Sequence, residues 1–327
     1  MRCFFIMVSL TASILLNAQD CSKEVLQKKP GIWKAGPAGS VNNIEAANLV
    51  NEKKIVAAVH KMISSNYKPT GCQISYNSVF GKHPSEGQTW IADPYHYSMY
   101  ILRFLCDNKS VDKTKYYVDV STPTTVNVTA NVIYTLNNLY AATIPADDFR
   151  GYFKLLRYPQ RKDGAWFMGE EVVGDYGRPG EIKEYRWLIT YNDSLPFSYV
   201  SRKEYLLIQK KRLEKTMKEE GPGKQSDQYM NNIDNELKQK DEILNKPAIC
   251  PWNDEQRFTG FVTEGKPGSF IAVKPNLNYY RKNLPKSAVQ FFTVVYKISS
   301  GDEVFEENIT AIKKAIDFET LKNMLGK

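Results

Sequence analysis

Val126-Asn127-Val128-Thr129-Ala130-Asn131-Val132-Ile133-Tyr134-Thr135-Leu136 is the most regular stretch of the chain. Val126, Val128, Ala130, Val132, Tyr134 and Leu136 share one parity, and Thr125, Asn127, Thr129, Asn131 and Thr135 share the other. Successive side chains of a strand point to opposite sides. The stretch therefore predicts a strand that is dry on one face and wet on the other, the habit of an antiparallel sheet packed on one side. Upstream, Tyr97, Met99 and Ile101 alternate with Ser98, Tyr100 and Leu102, so a strand over 95–106 carries bulk on both faces. Residues 72–80 and 116–120 read as further strands. Ahead of them, Ile55, Val56, Val59, Met62 and Ile63 recur at helical spacing and predict a helix from Ile44 to Ser64. One helix followed by several such strands is the layout of an antiparallel α+β layer.

Downstream, Asp147 to Leu156 reads as a short helix, and the glycine-rich stretch from Gly164 to Gly180 mostly as loop. Tyr185, Trp187, Ile189 and Tyr191 then alternate, Asn192-Asp193 marks a turn, and Phe197 to Val200 forms the second arm of a hairpin. Ser201 and Glu204 have the spacing of a capping box and open a charged helix to about Glu220. Gly221-Pro222-Gly223 breaks it, and a second helix runs from Asp227 to Asn245. Leu206, Leu213 and Met217 form one narrow apolar stripe, and Tyr229, Ile233, Leu237 and Leu244 a matching one. Together they predict an exposed αα-hairpin over about 202–245. Strands follow near 258–262, 269–273 and 289–298, then amphipathic helices carrying Phe305, Ile309, Ile312 and Ile316, and Phe318, Leu321 and Leu325. The fold class expected is α+β: antiparallel sheets with an N-terminal helix, an inserted αα-hairpin and C-terminal helices. The chain divides into regions 19–140 and 141–327.

The N-terminus has its own signature. Arg2 is the one charge before a mostly apolar run from Cys3 to Leu16, which ends at Asn17-Ala18 and a polar sequence. That is the form of a secretory signal cleaved after Ala18. The run is about 14 residues, short of the roughly 20 a bilayer requires. The mature chain is therefore expected to be exported, as a periplasmic, envelope-associated or extracellular protein. A formal charge of +8 over 327 residues favours weak attraction to anionic surfaces and does not mark a nucleic-acid binder.

Cys21, Cys72, Cys106 and Cys250 remain after such a cleavage. In an oxidising compartment four cysteines suggest two disulfides with three possible pairings; the alternative is free buried thiols. If 72–80 and 95–106 form a hairpin whose opposed residue numbers sum to about 178, Cys72 faces Cys106, which leaves Cys21 for Cys250. No Cys-x-x-Cys occurs, so these are staples and not redox groups.

Motifs for chemistry are sparse. Gly260 and Gly265-Lys266 have phosphate-loop spacing, but Pro267 stands where a Ser or Thr should hold magnesium. The three histidines, His60, His83 and His96, form no metal motif, and no cofactor is expected. Asp93 and His96, three apart, are the weak alternative for catalysis: a base and its orienting carboxylate, completed by His83 or by Glu170, Glu171 or Asp175, in a hydrolase. Adjacent Glu170 and Glu171 point to opposite sides of extended chain and do not pair with each other.

The most distinctive charge feature is a window from Gly265 to Gly301 without acids. It carries Lys266, Lys274, Arg281, Lys282, Lys286 and Lys297, with Tyr279 and Tyr280 interleaved. Tyr279, Tyr280, Arg281 and Lys282 are the candidate binding residues, suited to an anionic glycan, a lipid head group or an acidic protein. Asn108, Asn127, Asn192 and Asn308 each begin a glycosylation sequon. The function expected is a non-catalytic envelope or periplasmic binding protein.

Trp187-Leu188-Ile189-Thr190, Leu195-Pro196-Phe197 and Val200-Ser201-Arg202-Lys203-Glu204-Tyr205-Leu206 resemble stretches of exported, uncharacterised proteins of Bacteroidota. Asn283-Leu284-Pro285-Lys286-Ser287-Ala288 and the leader ending Asn17-Ala18-Gln19 are similar too. The resemblance covers about a fifth of the chain and implies an exported address. It supplies no activity and no site residues.

Overall fold

The computed structural model describes residues 21–81, 92–112, 114–132, 153–174, 181–221, 223–251 and 258–327. The expected leader and cleavage site, His83, Asp175 and the continuation of the Val126 stretch past Val132 lie outside them. The fold is α+β.

The chain begins with α1 (Lys23–Gln27), β1 (Ile32–Ala35), β2 (Val41–Asn42) and α2 (Ala46–Asn66). Long strands β3 (Cys72–Gly81) and β4 (Tyr95–Cys106) follow, with β5 (Tyr116–Val118) and β6 (Thr125–Ala130). Then come β7 (Phe153–Leu155), β8 (Gln160–Lys162), β9 (Ala165–Gly174), β10 (Ile182–Ile189) and β11 (Phe197–Tyr199). The helical insert is α3 (Arg202–Glu220), α4 (Lys224–Glu236) and α5 (Asp241–Leu244). The chain closes with β12 (Ile249–Pro251), β13 (Ser269–Pro275), β14 (Phe292–Ser299), α6 (Glu303–Ala315) and α7 (Phe318–Lys322).

The larger sheet runs β1-β3-β4-β6-β14-β10-β9-β8, with β2 also on β3 and β5 on β4. Strands from both sides of the expected division at residue 141 share it, because β14 lies between β6 and β10 and pairs antiparallel with both. Its two edges are short. β1 has four residues between Pro30 and Pro37, and β8 has three, of which Arg161 and Lys162 are charged.

One face of this sheet carries the main core. Ile74, Tyr97, Met99, Val126, Val128, Phe292, Val294 and Tyr296 meet Ile55, Val59 and Ile63 of α2 and Phe305, Ile309 and Ile312 of α6. Burying a large apolar side chain contributes about 1.5–3 kcal/mol, so this cluster is the main source of cohesion. Asp302 caps α6, accepting the Val304 and Phe305 amides at 3.1 and 3.4 Å, and Arg103 of β4 donates to its other oxygen at 2.6 Å. The smaller sheet, β11-β13-β12 with β7 on β13, packs Phe197, Ile271 and Val273 against Leu188 and Met168 of the larger one.

Several expectations require correction. Cys72 pairs with Arg103, not Cys106, so the β3–β4 register is three residues tighter than a sum of 178. Cys106 therefore overshoots the end of β3 and reaches Cys21, with which it forms the disulfide; Cys72 and Cys250 are buried and form no disulfide among the described residues. The glycine-rich stretch from Gly164 is not loop through Gly174. Gly169 (φ 122°) and Gly174 (φ 136°) sit at two register shifts that let β9 follow β10. Residues 153–155 are strand, while 258–262 are not; there Phe258 closes the second core instead. The arm at Phe197 forms no hairpin with β10. Asn192 and Asp193 take positive φ of 41° and 61° and turn the chain into the smaller sheet, where β11 pairs with β13. Ser201 does cap α3, accepting the Glu204 amide at 3.2 Å, and the Glu204 carboxylate holds Lys274 at 2.6 Å. The helical hairpin is more than an excursion, since Tyr205, Leu206, Leu213 and Ile233 form a core with Ala248, Phe270 and Ala272. Asn308 is buried, its side-chain oxygen accepting from the Tyr67 hydroxyl at 2.5 Å, so folding closes that sequon.

The Cys21–Cys106 bond closes a loop with a separation of 85 residues, worth about 4.5 kcal/mol on chain-entropy grounds. Cys21→Ser or Cys106→Ser is expected to lower denaturant stability by about that amount, and reductant should add nothing in either variant. Cys250→Ser should leave the wild-type response to reductant intact.

Candidate functional site

The register of the larger sheet aligns three rows of side chains on the face away from α2 and α6. In the first, Ser75, Tyr100, Thr125, Lys297, Glu184 and Glu171 are successive cross-strand neighbours. In the second they are Asn77, Ser98, Asn127, Val295, Arg186 and Gly169. In the third they are Val79, His96, Thr129, Thr293, Leu188 and Trp166. A solvated face of this kind would be exposed, yet Ser98, Thr129, Thr293, Glu184 and Arg186 are all buried. The wet side expected for the Val126 strand is therefore largely dry, although its residues are polar.

These groups partner one another across strands. Ser98 Oγ donates to Asn127 Oδ1 at 2.7 Å, and the Thr129 and Thr293 hydroxyls meet. Arg186 donates through Nη2 to Glu184, its Nη1 lies 4.0 Å from Glu171, and Lys297 lies 3.8 Å from Glu184. Arg186 is only 5% exposed, and its Nε and Nη1 have no hydrogen-bond partner. His96 sits in the same band, and desolvation holds its imidazole below the usual range, so it is neutral at pH 7.

Asp93 belongs to a different cluster, on the helix side. Its amide donates to Lys286 O at 2.7 Å, and Asn48 of α2 approaches its carboxylate at 3.5 Å. Asn131, held at φ 62°, ties the segment down: it donates to Asp93 O and Ala288 O at 2.9 and 3.2 Å and accepts the Gln290 amide at 2.7 Å. Tyr95 donates to Ser287 O at 3.1 Å. Beside Asp93 lies Glu52, 0% exposed, with neither carboxylate oxygen hydrogen-bonded to a side chain. Burial first, and the Asp93 charge second, push the Glu52 carboxyl up to about 8, against a pull from the Gly81 amide. Burial also raises Asp93, with Lys286 opposing and Glu45 adding.

The described members of the expected catalytic set, Asp93, His96, Glu170 and Glu171, do not come together. Tyr95 and His96 are adjacent in a pleated strand, so His96 points away from the side on which Tyr95 and Asp93 meet α2. Glu170 on β9 pairs with Lys183 at 3.3 Å. Three strands separate β9 from β4, a distance of about 19 Å. Glu171 shares the His96 face but is equally remote. His60 is a packing residue, accepting from or donating to Tyr97 at 2.7 Å and stacking on Tyr76.

The basic and aromatic window is also divided. Tyr279 is buried in the core between the sheets, its hydroxyl donating to Gln290 O at 2.7 Å, and Tyr280 is half-buried beside Phe291. Neither offers the stacking surface expected. Arg281 lies over the Tyr191 ring at 3.8 Å, while Lys282 and Lys286 are exposed. Lys274 and Lys297 are engaged with Glu204 and Glu184.

Glu52 and Arg186 were not singled out by the sequence. The signals were their positions: Glu52 lies three and four residues before Ile55 and Val56 on the apolar stripe of α2, and Arg186 lies between Tyr185 and Trp187 in a strand with bulk on both faces. No group of three acidic, histidine or cysteine side chains suited to a metal ion occurs among the described residues. No protein-family model matches the chain, and no curated protein or solved structure is significantly similar to it.

Glu52 holds its proton more tightly in the fold than at its ordinary 4.5, so the folded state binds the extra proton and loses stability as pH rises from 4.5 through about 8. Thermal melts of the wild type are expected to fall across that window. Glu52→Gln should flatten the slope and melt higher than the wild type above it, by roughly 2–4 °C for each kcal/mol relieved.

Proposed function

We propose that this is an exported, non-catalytic binding protein that holds its ligand on the polar face of the larger sheet. The observation that carries the reading is the burial of a hydrogen-bonding band across β4, β6, β14 and β10, where a structural layer would be apolar. Such a band suits a ligand with many polar groups of its own. The separation of Asp93, His96 and Glu170 leaves the hydrolase alternative without a convergent set among the described residues. The apolar leader, the Cys21–Cys106 disulfide and the likeness to exported proteins of Bacteroidota support the address.

The binding reading is tested with Asn127→Leu combined with Thr293→Val, assayed on arrays of neutral and anionic oligosaccharides. Each lost hydrogen bond is worth about 1 kcal/mol, so affinity should drop roughly fivefold or more per site. A folded double variant that binds like the wild type would exclude the face. The address is tested by the mass of the N-terminal peptide from cells, expected to begin at Gln19.

A further inference from the structure

We infer that the β9–β10 end of the polar face is an oxyanion seat, formed by Arg186, Trp166 and Arg157 around Gly169. This rests on the binding reading above and names the ligand class. Gly169 is the cross-strand neighbour of Arg186. It has no Cβ, and the space is taken by Arg157, whose Nε would stand 2.8 Å from a Cβ placed there. Arg157 thus covers the backbone position that pairs with Arg186. Arg157 is exposed and donates through Nη2 to Glu170 O at 3.0 Å, whereas Arg186 is 5% exposed. One row on, Trp166 stands opposite Leu188 on the same face, and its indole Nε1 is buried without a partner.

The chemistry of the unpaired atoms selects the ligand. Among the described residues of β9 and β10, the buried side-chain atoms without partners are Arg186 Nε, Arg186 Nη1 and Trp166 Nε1. All three are donors, and neither side chain can accept. A hydroxyl or amide ligand would bring donors of its own. A carboxylate, sulfate or phosphate brings acceptors alone, in the fork geometry a guanidinium prefers. Charge agrees: Arg157, Arg186 and Lys297 stand against Glu171 and Glu184, an excess of one positive charge. The carboxylates hold Arg186 through Nη2 and, at longer range, Nη1, which fixes its plane and leaves the Nε edge to the ligand.

The test uses the mature chain at constant ionic strength, titrated with sodium sulfate, sodium phosphate, sodium glucuronate and, as the neutral arm, glucose, with sodium chloride as baseline. Melting temperature and the Trp166 indole N–H resonance are followed. At least one oxyanion is expected to give a saturable rise in melting temperature together with a Trp166 shift, while glucose gives neither. Which one responds separates carboxylate, sulfate and phosphate sources. Arg157→Ala, a change at an exposed side chain, should leave the unliganded melt unchanged and weaken the response at least tenfold; Arg186→Lys should weaken the response as much, with a lower unliganded melt because Arg186 is buried against Glu184 and Glu171. Absence of a saturable response to all three anions in the wild type, or its retention in Arg157→Ala, overturns the seat. Binding of a neutral oligosaccharide that is lost in the Asn127→Leu, Thr293→Val variant while the anions do nothing would refute the seat and leave the binding reading standing.

Discussion

The structure depends on β14 hydrogen-bonding along both of its edges. Phe292–Ser299 pairs with β6 on one side and β10 on the other, and among the described residues no other strand pairing joins the early strands to the late ones. The same strand places Phe292, Val294 and Tyr296 in the helix-side core and Thr293, Val295 and Lys297 in the polar band. A shift of one residue in its register would exchange those sets and bury lysine in the helix-side core. Because the partners lie far apart in the chain, this central pairing closes long loops and is the slow, late event expected of a non-local sheet.

From that register the two faces acquire different chemistry. The helix side is mainly apolar and closed by α2, α6 and α7, with the Glu52–Asp93 cluster at its margin. There two acids share a site in which one counter-cation, Lys286, offsets only part of the repulsion. The opposite side inverts the arrangement, with charged and hydroxyl groups buried and largely satisfied by one another. A network of that kind is costly when any member lacks a partner, which is why the unpaired edge of Arg186 matters more than an exposed arginine would.

Much of the architecture was legible where one period dominates. The Val126 alternation, the α2 stripe and the first stripe of the helical hairpin led to the elements observed, because in each one period dominates; the second helix expected there is divided into α4 and α5. Legibility failed where two constraints compete. Spacing between Gly81 and Tyr95 cannot fix a register, so Cys72 was set opposite the wrong residue. The glycines of β9 look like breakers yet serve as bulges, whose φ is tolerated because β10 holds the strand on one edge. Tyr279 and Tyr280 have the composition of a surface, and only the stacking of the smaller sheet shows that they fill the space between layers. His96 and Asp93 are close in sequence, but the pleat divides them.

The margins of the larger sheet are blunt. β1 is brief and bracketed by prolines, and β8 ends the opposite side with three residues, two of them cationic. Neither presents the long, flat, uncharged ladder on which a neighbouring molecule could add a strand. At these two margins the larger sheet is therefore a poor template for a further strand.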